Sequence, residues 1–290
     1  MRVLAGVAAL GLVVVLGCGS SGPPPVSFVS NEQPSAQGAP NTNLDRGAAR
    51  IENPNGGGGG NELGEDEQIE PEHPLAETKQ ERATVHIHGP ENRVCSGVVV
   101  GPKSVATAQR CLRGLGAGVH PNTDFRIEVA SSALTWTNRK GKYVVLPSCD
   151  EKEIDVAIIV LDEAVPAFAV PLKIVSAPDT GGRVQALGFG RCKGAQKLAK
   201  ERTGTVKNRD SHDVVVDITL CKGDRGGPVV DGRESELIGL ISHRDDPEGS
   251  PLRTANIARL DTVWARDLMK QASALAEGGD HTKMQAIACR

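Results

Sequence analysis

Three stretches of the chain set charged side chains among glycines, cysteines and apolar runs. Residues 221–230 read CKGDRGGPVV, residues 94–111 read VCSGVVVGPKSVATAQRC, and residues 154–161 read IDVAIIVL. Asp155 is a lone carboxylate inside an apolar run, a setting that demands a hydrogen-bonded or charged partner. Arg110 stands directly before Cys111, and Arg225 lies between Asp224 and Gly226. A guanidinium keeps its proton up to a pKa above about 12, so neither arginine can act as a general base or a nucleophile near neutral pH. Guanidinium groups instead pair with carboxylates or hold anions bidentately.

Other candidates are weaker. Ser211-His212-Asp213 has the letters of nucleophile, base and carboxylate, but adjacent side chains point apart and the stretch reads as a polar turn. His86 and His88 alternate on one strand face and carry imidazoles that could hold a metal. The sequence offers no evident third ligand, and surface histidines are the plainer reading, so neither metal nor cofactor is expected. Gly56 to Gly60 satisfy a loose phosphate-loop pattern, yet no strand precedes them and no helix follows.

These residues need elements to position them. From Ala83 onward, short apolar runs alternate with turn signals. They predict strands at Thr84–His88, Val94–Val100, Ser104–Ala108, Phe125–Val129, Tyr143–Leu146 and Val156–Leu161. Further strands are expected at Arg183–Leu187, Gly204–Lys207, Val214–Thr219, Pro228–Val230 and Glu236–Ile241. Many short strands divided by glycine and proline indicate an all-β sandwich or barrel. Leu260 to Leu275 is the exception, with Leu260, Val263, Trp264, Leu268 and Gln271 at helical spacing.

The N-terminal part differs in texture. Residues 1–17 have a basic start at Arg2 and an apolar run from Val3 to Leu16, too short to span a bilayer as a helix and suited to a signal peptide. The ending V-L-G-C resembles a bacterial lipoprotein signal, which implies cleavage before Cys18 and lipid on its thiol; Val15 fits an ordinary cleavage site poorly. Residues 18–78 are rich in Gly, Pro, Ser, Asn and Glu without apolar period and are expected to be a disordered linker. At about 60 residues its r.m.s. reach is roughly 40–45 Å. Between Gly19 and Glu77 there are ten acidic and two basic residues, whereas from Thr78 onward there are 30 basic and 26 acidic. An acidic tether on a mildly basic body argues against nucleic acid as a partner. Six cysteines besides Cys18 point to disulfides in an exported chain, with 15 possible connectivities.

The three quoted stretches, in their order, resemble the chymotrypsin/trypsin family of serine peptidases, with its T-A-A-H-C, D-I-A-L-L and G-D-S-G-G-P motifs. The resemblance covers about Thr84 to Lys270, within a domain expected at 79–290. It implies two six-stranded antiparallel β-barrels and a C-terminal α-helix. It also implies that Arg110 occupies the imidazole position, Asp155 the carboxylate position and Arg225 the nucleophile position, so one member of three remains. The backbone N–H groups of Gly223 and Arg225 match the family's oxyanion hole. Thr219, Ser242 and Arg244 match specificity-pocket positions, with Ser242 supporting the carboxylate and Arg244 crowding the pocket mouth. Cys95 and Cys111 match a family disulfide. Cys221 matches another family cysteine, for which Cys192 is the expected partner, leaving Cys149 and Cys289. Asp224 would pair in the family with a newly cleaved N-terminus, but no R-I-V-G-G stretch precedes Thr84, so it needs another partner or a rearranged loop.

The leading expectation is therefore a catalytically inactive homologue, anchored to a bacterial envelope through Cys18 and acting as a binding or scaffold module. Its ligand would be a protein or peptide, or a small anion held by Arg225, at the altered cleft; the alternative for Arg225 is to swing into solvent. A serine endopeptidase with an unrecognised catalytic arrangement is the second reading, and an envelope protein without a specific ligand the third.

Overall fold

A computed structural model of the chain describes residues 76–121, 123–133, 135–149, 154–190, 202–242 and 254–289. The expected signal peptide, Cys18 and the linker up to residue 75 lie outside them.

Seven strands make the first sheet: β1 (Thr84–His88), β2 (Val94–Gly101), β3 (Ser104–Thr107), β4 (Gly118–Pro121), β5 (Arg126–Ala130), β6 (Trp136–Leu146) and β7 (Ala157–Leu161). Their order is β4-β6-β5-β1-β2-β3-β7, and a further β6–β7 pairing closes six of them into a barrel, with β4 on the outer edge of β6. Closure depends on the 11-residue β6. Its first half pairs with β5 and its second half with β7, and the register shifts between Gly141 and Tyr143. At that corner a side chain on Gly141 would run into Thr123 Oγ1 and come within 3.1 Å of Ile159. A glycine there lets the strand bend without a clash.

The second barrel contains β8 (Arg183–Ala186), β9 (Arg202–Arg209), β10 (Asp213–Asp217), β11 (Pro228–Asp231), β12 (Leu237–Ile241) and β13 (Ala255–Arg259), closed in the order β10-β13-β12-β11-β8-β9. Every strand pairing in both barrels is antiparallel. The fold is thus two closed six-stranded antiparallel barrels with one C-terminal helix, as the motifs imply.

Burial explains the apolar patterns. In β5, Ile127 and Val129 face the first core, while β7 is buried along its whole length. The second face of β7 is covered by helix α2 (Val263–Ala276), which buries Trp264, Ala265, Leu268, Ala272 and Leu275. That is why Ala157–Leu161 reads as a continuous apolar run instead of alternating. The helix starts at Val263 and not at Leu260, because Thr262 caps it: its side chain accepts the Ala265 N–H at 3.3 Å. Leu260 is instead buried just after β13.

One α-helix and two strands were not expected from the sequence. A five-residue helix α1 (Lys79–Ala83) opens the domain with a capping box, in which Thr78 Oγ1 accepts from Glu81 N–H and Glu81 Oε2 accepts from Thr78 N–H at 2.8 Å. The short edge strand β4 begins at a glycine and ends at a proline. The third, β13, is ANIAR, poor in strand formers, and owes its conformation to pairing with both β10 and β12.

Two disulfides pair described cysteines, Cys95–Cys111 and Cys149–Cys289, both as expected. The second fastens the chain end to the segment between β6 and β7, beside Ser148, whose N–H donates to the Ile287 carbonyl at 2.8 Å. Cys221 is disulfide-bonded as well, and Cys192 lies outside the described residues.

Candidate functional site

Arg110, Asp155 and Arg225 come from separate segments and meet in one cleft. Arg110 sits in a short 3₁₀ turn, Gln109–Leu112, pinned by the Cys95–Cys111 bond. Asp155 lies just ahead of β7. Arg225 occupies the tight loop before β11. The Arg110 backbone N–H donates to Asp155 Oδ1 at 2.9 Å, and its Nε stands 3.8 Å from Oδ2. The Ser242 hydroxyl donates to the same Oδ2 at 3.0 Å. Burial pushes the Asp155 carboxyl up, against the pull of the Arg110 N–H, the Ser242 hydroxyl and the charges of Arg110 and Arg225. Arg225 does not swing into solvent. It is half-buried, and its Nε donates to the Ser242 carbonyl at 3.2 Å.

The loop that carries Arg225 is bound to the other barrel. Gly226 has φ +81°, and a side chain there would strike Thr107 Oγ1 and the Ser96 carbonyl of the first barrel. Ser96, fully buried on β2, holds the loop with two bonds and the Phe189 segment with a third: its N–H donates to the Arg225 carbonyl, its hydroxyl donates to the Gly223 carbonyl, and that oxygen accepts the Phe189 N–H, all at 2.8 Å. The sequence signals neither this role of Ser96 nor its reach across the molecule.

Asp224 finds the partner that the sequence lacked. Arg202, at the start of β9, makes an ion pair with Asp224 Oδ2. The Gly190 and Cys221 N–H groups donate to the two carboxylate oxygens at 2.8 and 2.7 Å. Burial pushes the Asp224 carboxyl up while Arg202 and these donors pull against it. An internal guanidinium is thereby the other partner that Asp224 needed in place of the family's chain terminus.

The remaining candidates fall as follows. Thr219 is exposed, Lys222 is exposed, and Arg244 lies outside the described residues. Ser211 and His212 lie in the hairpin turn from β9 to β10 and Asp213 opens β10, with Asp210 Oδ1 accepting the N–H groups of His212 and Asp213. These three do not assemble into a catalytic group. Asp213 nevertheless matters to the cleft: burial, then the charges of Asp210 and Asp155, push its carboxyl up to about 6, with Arg110 opposing. The cleft thus sets two carboxylates against two guanidinium groups. His86 and His88 are not the surface pair expected, since His86 is buried and both contact Glu128.

The Trypsin family model matches residues 73–263. No curated protein sequence is significantly similar. Among solved structures, human heparin binding protein is similar with a TM-score of 0.54 at 18% identity, covering 71% of this chain and 97% of that one. The scabies mite inactivated protease paralogue S-I1 is similar with a TM-score of 0.54 at 20% identity, covering 69% of this chain and 99% of that one. At such identities the likeness speaks to the fold, whereas the family match spans most of the chain and includes all three cleft positions: this chain belongs to the trypsin family.

Proposed function

We propose that the chain is a catalytically inactive member of the trypsin family, anchored by lipid on Cys18 to a bacterial envelope and working as a binding or scaffold module. The observation that carries this reading is the pairing of Arg110 with Asp155: a guanidinium occupies the carboxylate that would orient an imidazole. Arg225 at the nucleophile position removes the hydroxyl as well. Losing either group alone costs about 10⁶ in kcat in a comparable triad enzyme. The scaffold around the cleft is meanwhile kept, with the loop buttressed by Ser96, Arg202 and a disulfide at Cys221. The name of one similar structure, an inactivated protease paralogue, supports a non-catalytic role for this fold, and that of the other, a heparin binding protein, supports a binding role.

The ligand of the cleft is a protein or peptide rather than a small anion. Asp155 offsets the charges of Arg110 and Arg225, and Asp213 that of Arg110, which weakens the case for anion capture. A competing reading keeps hydrolysis, with Ser242 as nucleophile, because its hydroxyl donates directly to Asp155. Treating the full-length protein with a fluorophosphonate probe separates the two. Inactivity predicts no labelling and no cleavage of casein or peptide esters. Stoichiometric labelling that disappears in Ser242→Ala would establish the enzyme instead.

A further inference from the structure

β1 and β5 pair so that His86 lies directly opposite Glu128, while His88 stands two residues along on the same face of β1. Their side chains converge. Glu128 Oε2 is 3.0 Å from His86 Nδ1 and 2.8 Å from His88 Nε2, and the two nitrogens are 3.0 Å apart. Side-chain exposure is 5%, 14% and 8% for His86, His88 and Glu128.

Hydrogen bonds satisfy at most two edges of this triangle. When both imidazoles carry a proton on the facing nitrogen, both N–H groups point at one oxygen and also confront each other. When one of those nitrogens lacks its proton, one edge of the triangle sets a bare lone pair against another. A cation above the triangle satisfies all three edges together. Edges of about 2.9 Å are those of one face of an octahedron with bonds of about 2.05 Å, the length zinc takes to imidazole nitrogen and carboxylate oxygen. A tetrahedral ion would need edges of about 3.3 Å, a relaxation of a few tenths of an ångström.

We propose that His86, His88 and Glu128 form a site for one divalent first-row transition-metal ion, zinc in the first instance. Two imidazoles and one carboxylate on a single face are a donor set that borderline ions take and that leaves other positions open. The surroundings fit a metal site too. Arg126 approaches the other carboxylate oxygen, Oε1, at 3.2 Å and orients the group. Phe189 and Trp136 pack on the His86 ring at centroid distances of 4.9 and 5.9 Å. The ion would fasten β1 to β5 and fix the ring against which Phe189 rests. Since the Phe189 N–H is bonded to Ser96 and the next N–H to Asp224, the site lies beside the loop that carries Arg225.

The test uses full-length protein freed of metal with a chelator. Calorimetric titration with Zn²⁺ should show one saturable equivalent, and Co²⁺ should develop visible d–d absorption from imidazole ligation. Metal should also raise the melting temperature. His86→Ala, His88→Ala and Glu128→Gln should each weaken Zn²⁺ binding tenfold or more, by about the scale known for ligand-shell losses. Should His86→Ala fail to fold, the more exposed His88→Ala carries the comparison, with circular dichroism confirming its fold. Absence of saturable binding to the folded wild type, or binding that folded variants leave unchanged, would overturn the site.

Discussion

Asp213 illustrates what one residue gains from its neighbours. Its carboxyl rises from 3.8 to about 6 because it is partly buried and faces the charges of Asp210 and Asp155. A carboxylate with a raised folded-state pKa favours folding only while protonated. Its contribution is complete below about pH 4, is lost as pH rises through about 6, and stays lost at neutrality. The full linkage of about two pH units is roughly 3 kcal/mol, which solvent screening at a partly exposed site reduces to about 1 kcal/mol. Asp213→Asn should therefore be more stable than wild type at pH 7 by about 1 kcal/mol, and the two should converge near pH 4. Urea midpoints measured across that range check it; a constant difference at all pH values would refute the assignment. At this scale the cleft was well legible, because Arg110, Asp155 and Arg225 are marked by flanking cysteine, apolar and glycine motifs. Asp213 was not, since its nearness to Asp155 joins the start of β10 in one barrel to the segment ahead of β7 in the other.

At the scale of elements, β9 supplies what the loop before β11 requires. Arg202 opposes Ala186 in the β8–β9 register and reaches the buried Asp224 from there. Removing one member of a buried ion pair leaves an uncompensated charge and costs about 3–5 kcal/mol. Arg202→Met should lose stability on that scale, whereas Arg202→Met combined with Asp224→Asn should recover a large part of it. Chemical denaturation of the four-member mutant cycle measures the coupling. Additive losses would show that Arg202 does not hold the loop. Nothing in the sequence around Arg202 marks it, because a strand-start arginine is ordinary until its partner is known. By contrast, the α1 cap was legible in principle: Thr78-Lys79-Gln80-Glu81 has the spacing of a capping box.

For the whole molecule, the two barrels and the C-terminal helix support one another across the chain. α2 lies over β7 and beside β6 and β3 of the first barrel, although it follows the last strand of the second. The Cys149–Cys289 bond then ties the segment beyond the helix back to the first barrel. The anchoring reading follows from the V-L-G-C ending of the apolar N-terminal run. Cys18→Ser should abolish lipid incorporation and leave the protein either unprocessed or soluble, while the domain keeps its fold. Membrane fractionation after metabolic lipid labelling checks this; a processed variant that still sediments with membranes would refute lipid on Cys18.

The sequence by itself marked most of the elements and showed that two of the three cleft positions hold no base and no nucleophile. Period and punctuation are local, so the strands, the amphipathic run after Leu260 and the motif loops were readable, and an arginine is no base wherever it stands. Tertiary structure alone decided who meets whom. The short, strand-poor ANIAR became β13 because β10 and β12 offered it hydrogen bonds on both sides. Arg202 came to Asp224, Ser96 to Gly223, and Glu128 to His86 and His88 through pairings between distant segments. Such contacts depend on register and barrel closure, which are cooperative properties of the packed chain and leave no mark at the positions they join.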